Sequence, residues 1–233
     1  MASYFDQFVI VSLIPGITNS SFMLLISVII ILIMFKTNNL IPRRWQVIIE
    51  ILYDHWVNLI KDSLTIKGLK YFPFIISLFM LIVFLNLLGL FPYVFTVGTH
   101  IIVTFGVSLS VLIAVTILGI KNFKLDFFSM LMPQGAPMAL GPLLVLIETA
   151  SYLSRAISLG VRLAANLSAG HLLFIILASF AYKMLKYNLI MLSLFPLLIM
   201  VFITVLEIAV ALIQAYVFCL LITIYLEDTL KLH

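Results

Sequence analysis

The stretch Ser154-Arg155-Ala156-Ile157-Ser158-Leu159-Gly160-Val161-Arg162-Leu163-Ala164-Ala165-Asn166-Leu167-Ser168-Ala169-Gly170-His171 sets the problem. It places two arginines, an asparagine and a histidine inside a segment otherwise apolar enough to lie in a bilayer. Arginine stays charged at any biological pH. Holding one near a membrane centre costs from about 3 to more than 10 kcal/mol. A cost of that size is tolerated for function, so the chemistry is expected here. The surrounding apolar segment runs from about Gly141 to Tyr182, and a second runs from about Leu189 to Leu226. At 1.5 Å per residue each approaches or exceeds roughly 55 Å, against a hydrocarbon core of about 30 Å. A continuous helix of that length must lie steeply tilted, beyond the usual ~20°. The alternative is a break near Gly160, Gly170 or Pro196.

The rest of the chain has the same character. Its 233 residues are 64% hydrophobic and 9% charged, with a mean hydropathy of +1.29; soluble domains carry about 25% charged residues. The apolar runs are continuous rather than alternating, which excludes a β-barrel. The expected fold is an all-α polytopic membrane protein, one integral domain over residues 1–233. A single cysteine, Cys219, excludes an intrachain disulfide and a Cys-based metal cluster. The net charge of +4 comes from basic loops. No basic patch interleaved with aromatics points to nucleic acid. Met1 to Gln7 has no basic n-region, and no secretory cleavage pattern stands out.

Four more segments precede the long pair. Residues 21–35 form an apolar run, long enough to span if a few residues before Ser21 join it. Within 45–62, Gln46, Glu50, Asp54, Asn58 and Asp62 recur every fourth residue. Val47, Ile48, Leu52, Trp56 and Leu59 cover much of the rest, a pattern suited to a helix lying in the membrane surface. A hairpin follows over 74–120: Phe74 to Phe91 runs in, Pro92 to His100 turns, and Ile101 to Ile120 returns. The two long segments form an antiparallel hairpin over 141–228, turning near Lys183 to Asn188. Lys36, Arg43, Arg44, Lys61, Lys67, Lys70, Lys121, Lys124 and Lys231 then fall on one side, and only Lys183 and Lys186 on the other. The C-terminus is therefore expected inside and the N-terminus outside.

At about 100° per residue, Glu148, Ser151, Arg155, Ser158, Arg162, Asn166 and Ala169 share one face of the first long helix, and His171 falls on the opposite face. Glu207, Gln214, Phe218, Leu221, Tyr225 and Asp228 share one face of the second. Counted back from the turn, Arg162 and Gln214 lie at similar depth. Glu148 and Asp228 lie toward the inside, and His171 and Glu207 toward the outside. Carboxylates and histidine exchange protons readily near neutral pH, and a fixed guanidinium between the two sets repels a passing cation. A proton entering from one side would then have to leave this chain at mid-membrane, carried by something else.

Plainer readings stand beside this one. Ser151, Ser158 and Ser168 read first as interhelical hydrogen bonds. Glu148 and Asp228 could snorkel to the interface, and Arg155 could pair with Glu148 structurally. For Asn86, a hydrogen bond to a neighbour competes with channel lining. The four histidines, His55, His100, His171 and His233, have no metal-ligand spacing. No phosphate loop or Gly-x-Ser-x-Gly motif is present. No cofactor, metal or bound nucleotide is expected, and the chain is read as non-catalytic. A secondary transporter would show inverted repeats, and none is seen. A purely structural membrane subunit would leave the two polar sets unexplained.

The run from Glu148 to Asn166, continued by Ala169-Gly170-His171, resembles subunit a of the rotary F-type ATP synthase. So do Asn86-Leu87-Leu88-Gly89-Leu90-Phe91-Pro92-Tyr93 followed by His100, and Glu207 with Gln214-Ala215-Tyr216-Val217-Phe218 and then Tyr225-Leu226. Histidine in Ala-Gly-His, glutamate at Glu207 and the ending Tyr225 to His233 resemble the mitochondrial form. The resemblance implies a proton-translocating stator subunit pressed against the c-subunit ring, beside other stator and peripheral-stalk subunits and lipid. It implies a multi-pass protein of the mitochondrial inner membrane, with its C-terminus in the matrix and its N-terminus in the intermembrane space. Arg162 matches the family's essential arginine. His171, Glu207, Asn166, Gln214 and Asn86 are implied in the half-channel from the intermembrane space; Glu148, Asp228 and Arg155 are implied in the matrix half-channel. Ala164-Ala165 stands where family members often carry Phe-Gly or Gly-Ser, so ring-facing packing is expected to differ there.

Overall fold

The computed structural model describes residues 8–36, 44–91, 94–124 and 141–230. Met1 to Gln7, Pro42, Arg43, Pro92, Tyr93, Lys231 and His233 lie outside them. Among the described residues there are six α-helices: α1 (Asn19–Phe35), α2 (Arg44–Gly68), α3 (Phe72–Gly89), α4 (Ile101–Phe123), α5 (Gly141–Lys186) and α6 (Ile190–Leu230). Four helical segments are long and apolar enough to cross a membrane: Leu69–Gly89, Ile101–Phe123, Leu143–Lys186 and Ile190–Leu230. The protein is an all-α polytopic membrane protein. α1 has 17 residues, about 26 Å of helix, at the lower limit of a span.

Both long helices are continuous. α5 covers 46 residues and α6 covers 41, on the order of 69 and 62 Å. The breaks weighed at Gly160, Gly170 and Pro196 do not occur. Pro196 lies in the second turn of α6, where it removes one ladder bond, to the Leu192 carbonyl, without ending the helix. Asn188 ends α5 in the left-handed region at φ 57°, a conformation asparagine tolerates. The Leu189 N–H closes this cap on the Met184 carbonyl at 3.1 Å.

The chain divides into two compact units. The first comprises Met1–Ile33, Leu81–Thr104 and Arg162–Ala215. It opens with a two-stranded antiparallel hairpin, Ser12–Ile14 with Ile17–Thr18, which the sequence reading did not anticipate. Pro15-Gly16 makes its turn, with Gly16 at φ 94°, a conformation that glycine adopts freely. The buried residues of this unit are mostly small: Ala164, Ala181, Ala211 and Ala215. Small side chains let helix backbones approach closely, which matters where lipid removes most of the hydrophobic drive between helices.

The second unit comprises Met34–Met80, Phe105–Val161 and Tyr216–His233. Here α2 buries Trp56, Ile60 and Leu64, one row at i, i+4 and i+8. Trp56 packs against Phe79 and Tyr216, ring centroids 5.2 and 5.5 Å away. Cys219 is fully buried, its Sγ 3.9 Å from the Ile75 carbonyl oxygen. Of the polar row of α2, Glu50, Asp54, Asn58 and Asp62 are exposed and Gln46 is half-buried. Its apolar cover differs from expectation, since Val47 and Ile48 are exposed and the inward row is set further along.

Candidate functional site

The first unit holds Arg162, Asn166, His171, Asn86, Glu207 and Gln214 together. Antiparallel packing of α5 on α6 brings Gly170 against the Glu207 carboxyl, so closely that a β-carbon at 170 would overlap it. Beside this contact lies a cavity of about 310 Å³ lined by Asn86, Asn166, Glu207 and Gln214, with walls of leucine, isoleucine, valine and alanine. That volume accommodates several waters.

The polar atoms of the cavity are incompletely satisfied by protein. The Asn86 side-chain amide donates to the Ala211 carbonyl at 3.2 Å. Its Oδ1, the Gln214 Nε2 and the Glu207 Oε1 are buried with no hydrogen-bond partner among the described residues. Buried polar atoms are nearly always bonded to protein or water, and these three belong to residues that line the cavity.

Arg162 and Asn166 are exposed and one helical turn apart, with exposed Ala165 and Ala169 on the same side. Asn166 also lines the cavity, which therefore reaches the surface carrying Arg162. His171 does not line the cavity. It projects from the other side of α5, as its spacing indicated, and hydrogen-bonds the Gly89 backbone; its Nε2 is buried with no hydrogen-bond partner among the described residues. The departure at Ala164-Ala165 divides in two: Ala164 is wholly buried within the chain. Ala165 is exposed.

The second unit holds Glu148, Arg155 and Asp228. Arg155 Nη2 lies 3.8 Å from Glu148 Oε1, with side chains 41% and 44% exposed. Tyr152 stands on the same stretch of helix, its ring 6.3 Å from Tyr225, within electrostatic reach of Asp228 and Arg155. The two polar sets thus fall in different units, and Arg162 is the first residue of its unit's α5–α6 segment.

Long apolar helices with a polar-lined cavity one turn from an arginine define an integral membrane protein with a polar site in its interior. The family model described as ATP synthase A chain matches residues 18–227. The chain is similar to ATP synthase subunit a of Metridium senile, 62% identical over 100% of this chain and 99% of that protein. It is similar to ATP synthase subunit a of Chondrus crispus, 41% identical over 100% and 98%, and of Marchantia polymorpha, 44% identical over 98% and 98%. The chain belongs to the ATP synthase A chain family, as its motifs indicated.

Sequence reasoning missed three features of the site. Gly170 is a wall for Glu207; the glycine next to His171 was visible, but nothing in one sequence says what it touches. Tyr152 was passed over as one aromatic among many. The segment Val97–Thr99, a buried 3-10 turn, was read as a plain turn.

Proposed function

We propose that this chain is the proton-translocating stator subunit of a mitochondrial ATP synthase, with two offset aqueous half-channels separated by Arg162. Family membership supports the role in ATP synthesis and proton transport, and the apolar helices support a multi-pass protein of the inner membrane. The observation that carries the half-channel reading is the cavity where Asn86, Gln214 and Glu207 each bury a polar atom with no hydrogen-bond partner among the described residues, and which Asn166, one turn from Arg162, also lines.

In this reading a proton enters through the outer set, His171, Glu207, Asn166, Gln214 and Asn86, and neutralises a carboxylate on the c-subunit ring. A neutral site can rotate into lipid where a charged one cannot. After nearly a full turn the proton leaves through Glu148, Arg155 and Asp228. Arg162 favours ionisation of the ring site passing it and repels a proton taking the direct path. The driving force is about 2.3 kcal/mol per charge per 100 mV, plus the pH gradient. The exposed stripe of Arg162, Ala165, Asn166 and Ala169 is the ring-facing surface, and α5 and α6 lie steeply tilted along the ring. The chain acts as one integral domain beside other stator and peripheral-stalk subunits, with α2 on the matrix surface. Its C-terminus faces the matrix and its N-terminus the intermembrane space.

The test is the whole complex carrying Arg162→Ala, reconstituted into vesicles, with ATP synthesis and passive proton leak measured together. Lost synthesis with a leak is expected. Intact synthesis overturns the assignment of Arg162.

A further inference from the structure

We infer that the buried loop Thr96–His100 is the mouth of the outer half-channel, with His100 the first proton-carrying side chain on the way to His171. The inference rests on the half-channel reading above and adds its entrance.

A turn between two membrane helices normally runs over the surface. The last part of this one is buried: Thr96 is 6% exposed, Val97 2% and Thr99 8%, with His100 half-buried. Its side chains are nonetheless polar. The Thr96 and Thr99 hydroxyls lie 3.0 Å apart, and Thr99 Oγ1 donates to the Thr96 carbonyl at 2.7 Å. Non-helical backbone near membrane depth persists where protein covers it or where it lines water.

The loop touches both parts of the outer set. A β-carbon on Gly98 would meet Leu167 and come within 3.5 Å of Asn86 Oδ1, so the loop backbone lies against the cavity lining. A β-carbon on Gly89 would meet Thr96 Cγ2 at 3.3 Å, and Gly89 is the residue whose backbone His171 bonds. The loop is therefore one residue from the cavity on one side and one from His171 on the other.

His100 is the only Asp, Glu, Lys, Arg or His between Lys70 and Lys121. Its ring stacks on Phe95 at 5.2 Å and 26°, which fixes its plane. Its Nε2, like that of His171, is buried with no hydrogen-bond partner among the described residues. Threonine hydroxyls both donate and accept, so Thr96 and Thr99 can pass a proton between histidines through water.

The experiment uses the whole synthase in membrane vesicles on a Cys219→Ala background. Single cysteines are placed as Thr99→Cys in the loop, Asn166→Cys in the cavity and Ile82→Cys in the buried apolar interior. Silver ion is added from the outer side and ATP-driven proton pumping is read. Block at Thr99→Cys and Asn166→Cys but not at Ile82→Cys is the expected result. Block at Asn166→Cys alone overturns the proposed mouth and leaves the half-channel standing. Block at neither overturns the half-channel reading itself. In parallel, His100→Leu in the assembled complex is expected to slow proton conduction at least about tenfold, with partial rescue by His100→Glu. Unchanged conduction removes His100 from the path.

Discussion

The Glu207 carboxyl rests directly on the α-carbon of Gly170, in the space a side chain would fill. The smallest addition to α5 at this point must push the acid away from its place on the cavity wall. Gly170→Ala is therefore expected to leave the complex assembled but to lower ATP synthesis about tenfold to a hundredfold, since an ångström of misplacement can cost that much. Synthesis at the wild-type rate, with the complex intact by native gel, would show that the carboxyl yields without consequence.

Asn86 combines two roles that one substitution separates. Its amide bonds the Ala211 carbonyl, and its Oδ1 is left for the cavity. Asn86→Leu fills the same volume and removes both. The cost in stability should be only about 0.5–1.5 kcal/mol, read as a small fall in the unfolding temperature of the purified complex. Proton conduction should fall by a clearly larger factor. Equal, small effects on both would reduce Asn86 to a packing residue.

The Arg155–Glu148 pair is long at 3.8 Å and half in the open, so its contribution to stability is expected at about 0–1 kcal/mol. A double-mutant cycle of Arg155→Ala and Glu148→Gln on complex stability should return a coupling in that range. Glu148→Gln should slow proton release to the inside all the same, because the carboxylate is read as a carrier. A strong coupling with normal proton release would make the pair structural.

Trp56 is fully buried between Phe79 and Tyr216. Trp56→Ala should cost about 3–5 kcal/mol and show as a loss of assembled complex. Trp56 Nε1 has no hydrogen-bond partner among the described residues, so Trp56→Phe gives up no such bond and should assemble nearly normally. Equal losses from both variants would point to a role for the indole N–H.

Periodicity carried much of this in advance. Apolar runs longer than a bilayer is thick gave α5 and α6, and rotating by 100° per residue sorted Arg162, Asn166 and His171 onto their two sides. On α6 the face shared by Glu207, Gln214, Phe218, Leu221, Tyr225 and Asp228 is buried at Gln214, Phe218 and Tyr225 and half-buried at the other three. Contacts of glycine were not readable, because a residue without a side chain leaves no pattern; hence Gly170 against Glu207 and Gly98 against Leu167 came only from the structure. The N-terminal hairpin was signalled by Pro15-Gly16 alone, and the short strands beside it show no alternation. α2 runs to Gly68 because its inward row continues through Leu64, past Asp62, the last of its acidic residues.

Only 11% of the most apolar window is buried in each of α5 and α6, against 56% in Leu69–Gly89. In thermodynamic terms, the folded chain is the bound state of an association equilibrium. Its stability rises with the concentration of lipid and partner helices and falls as they are diluted.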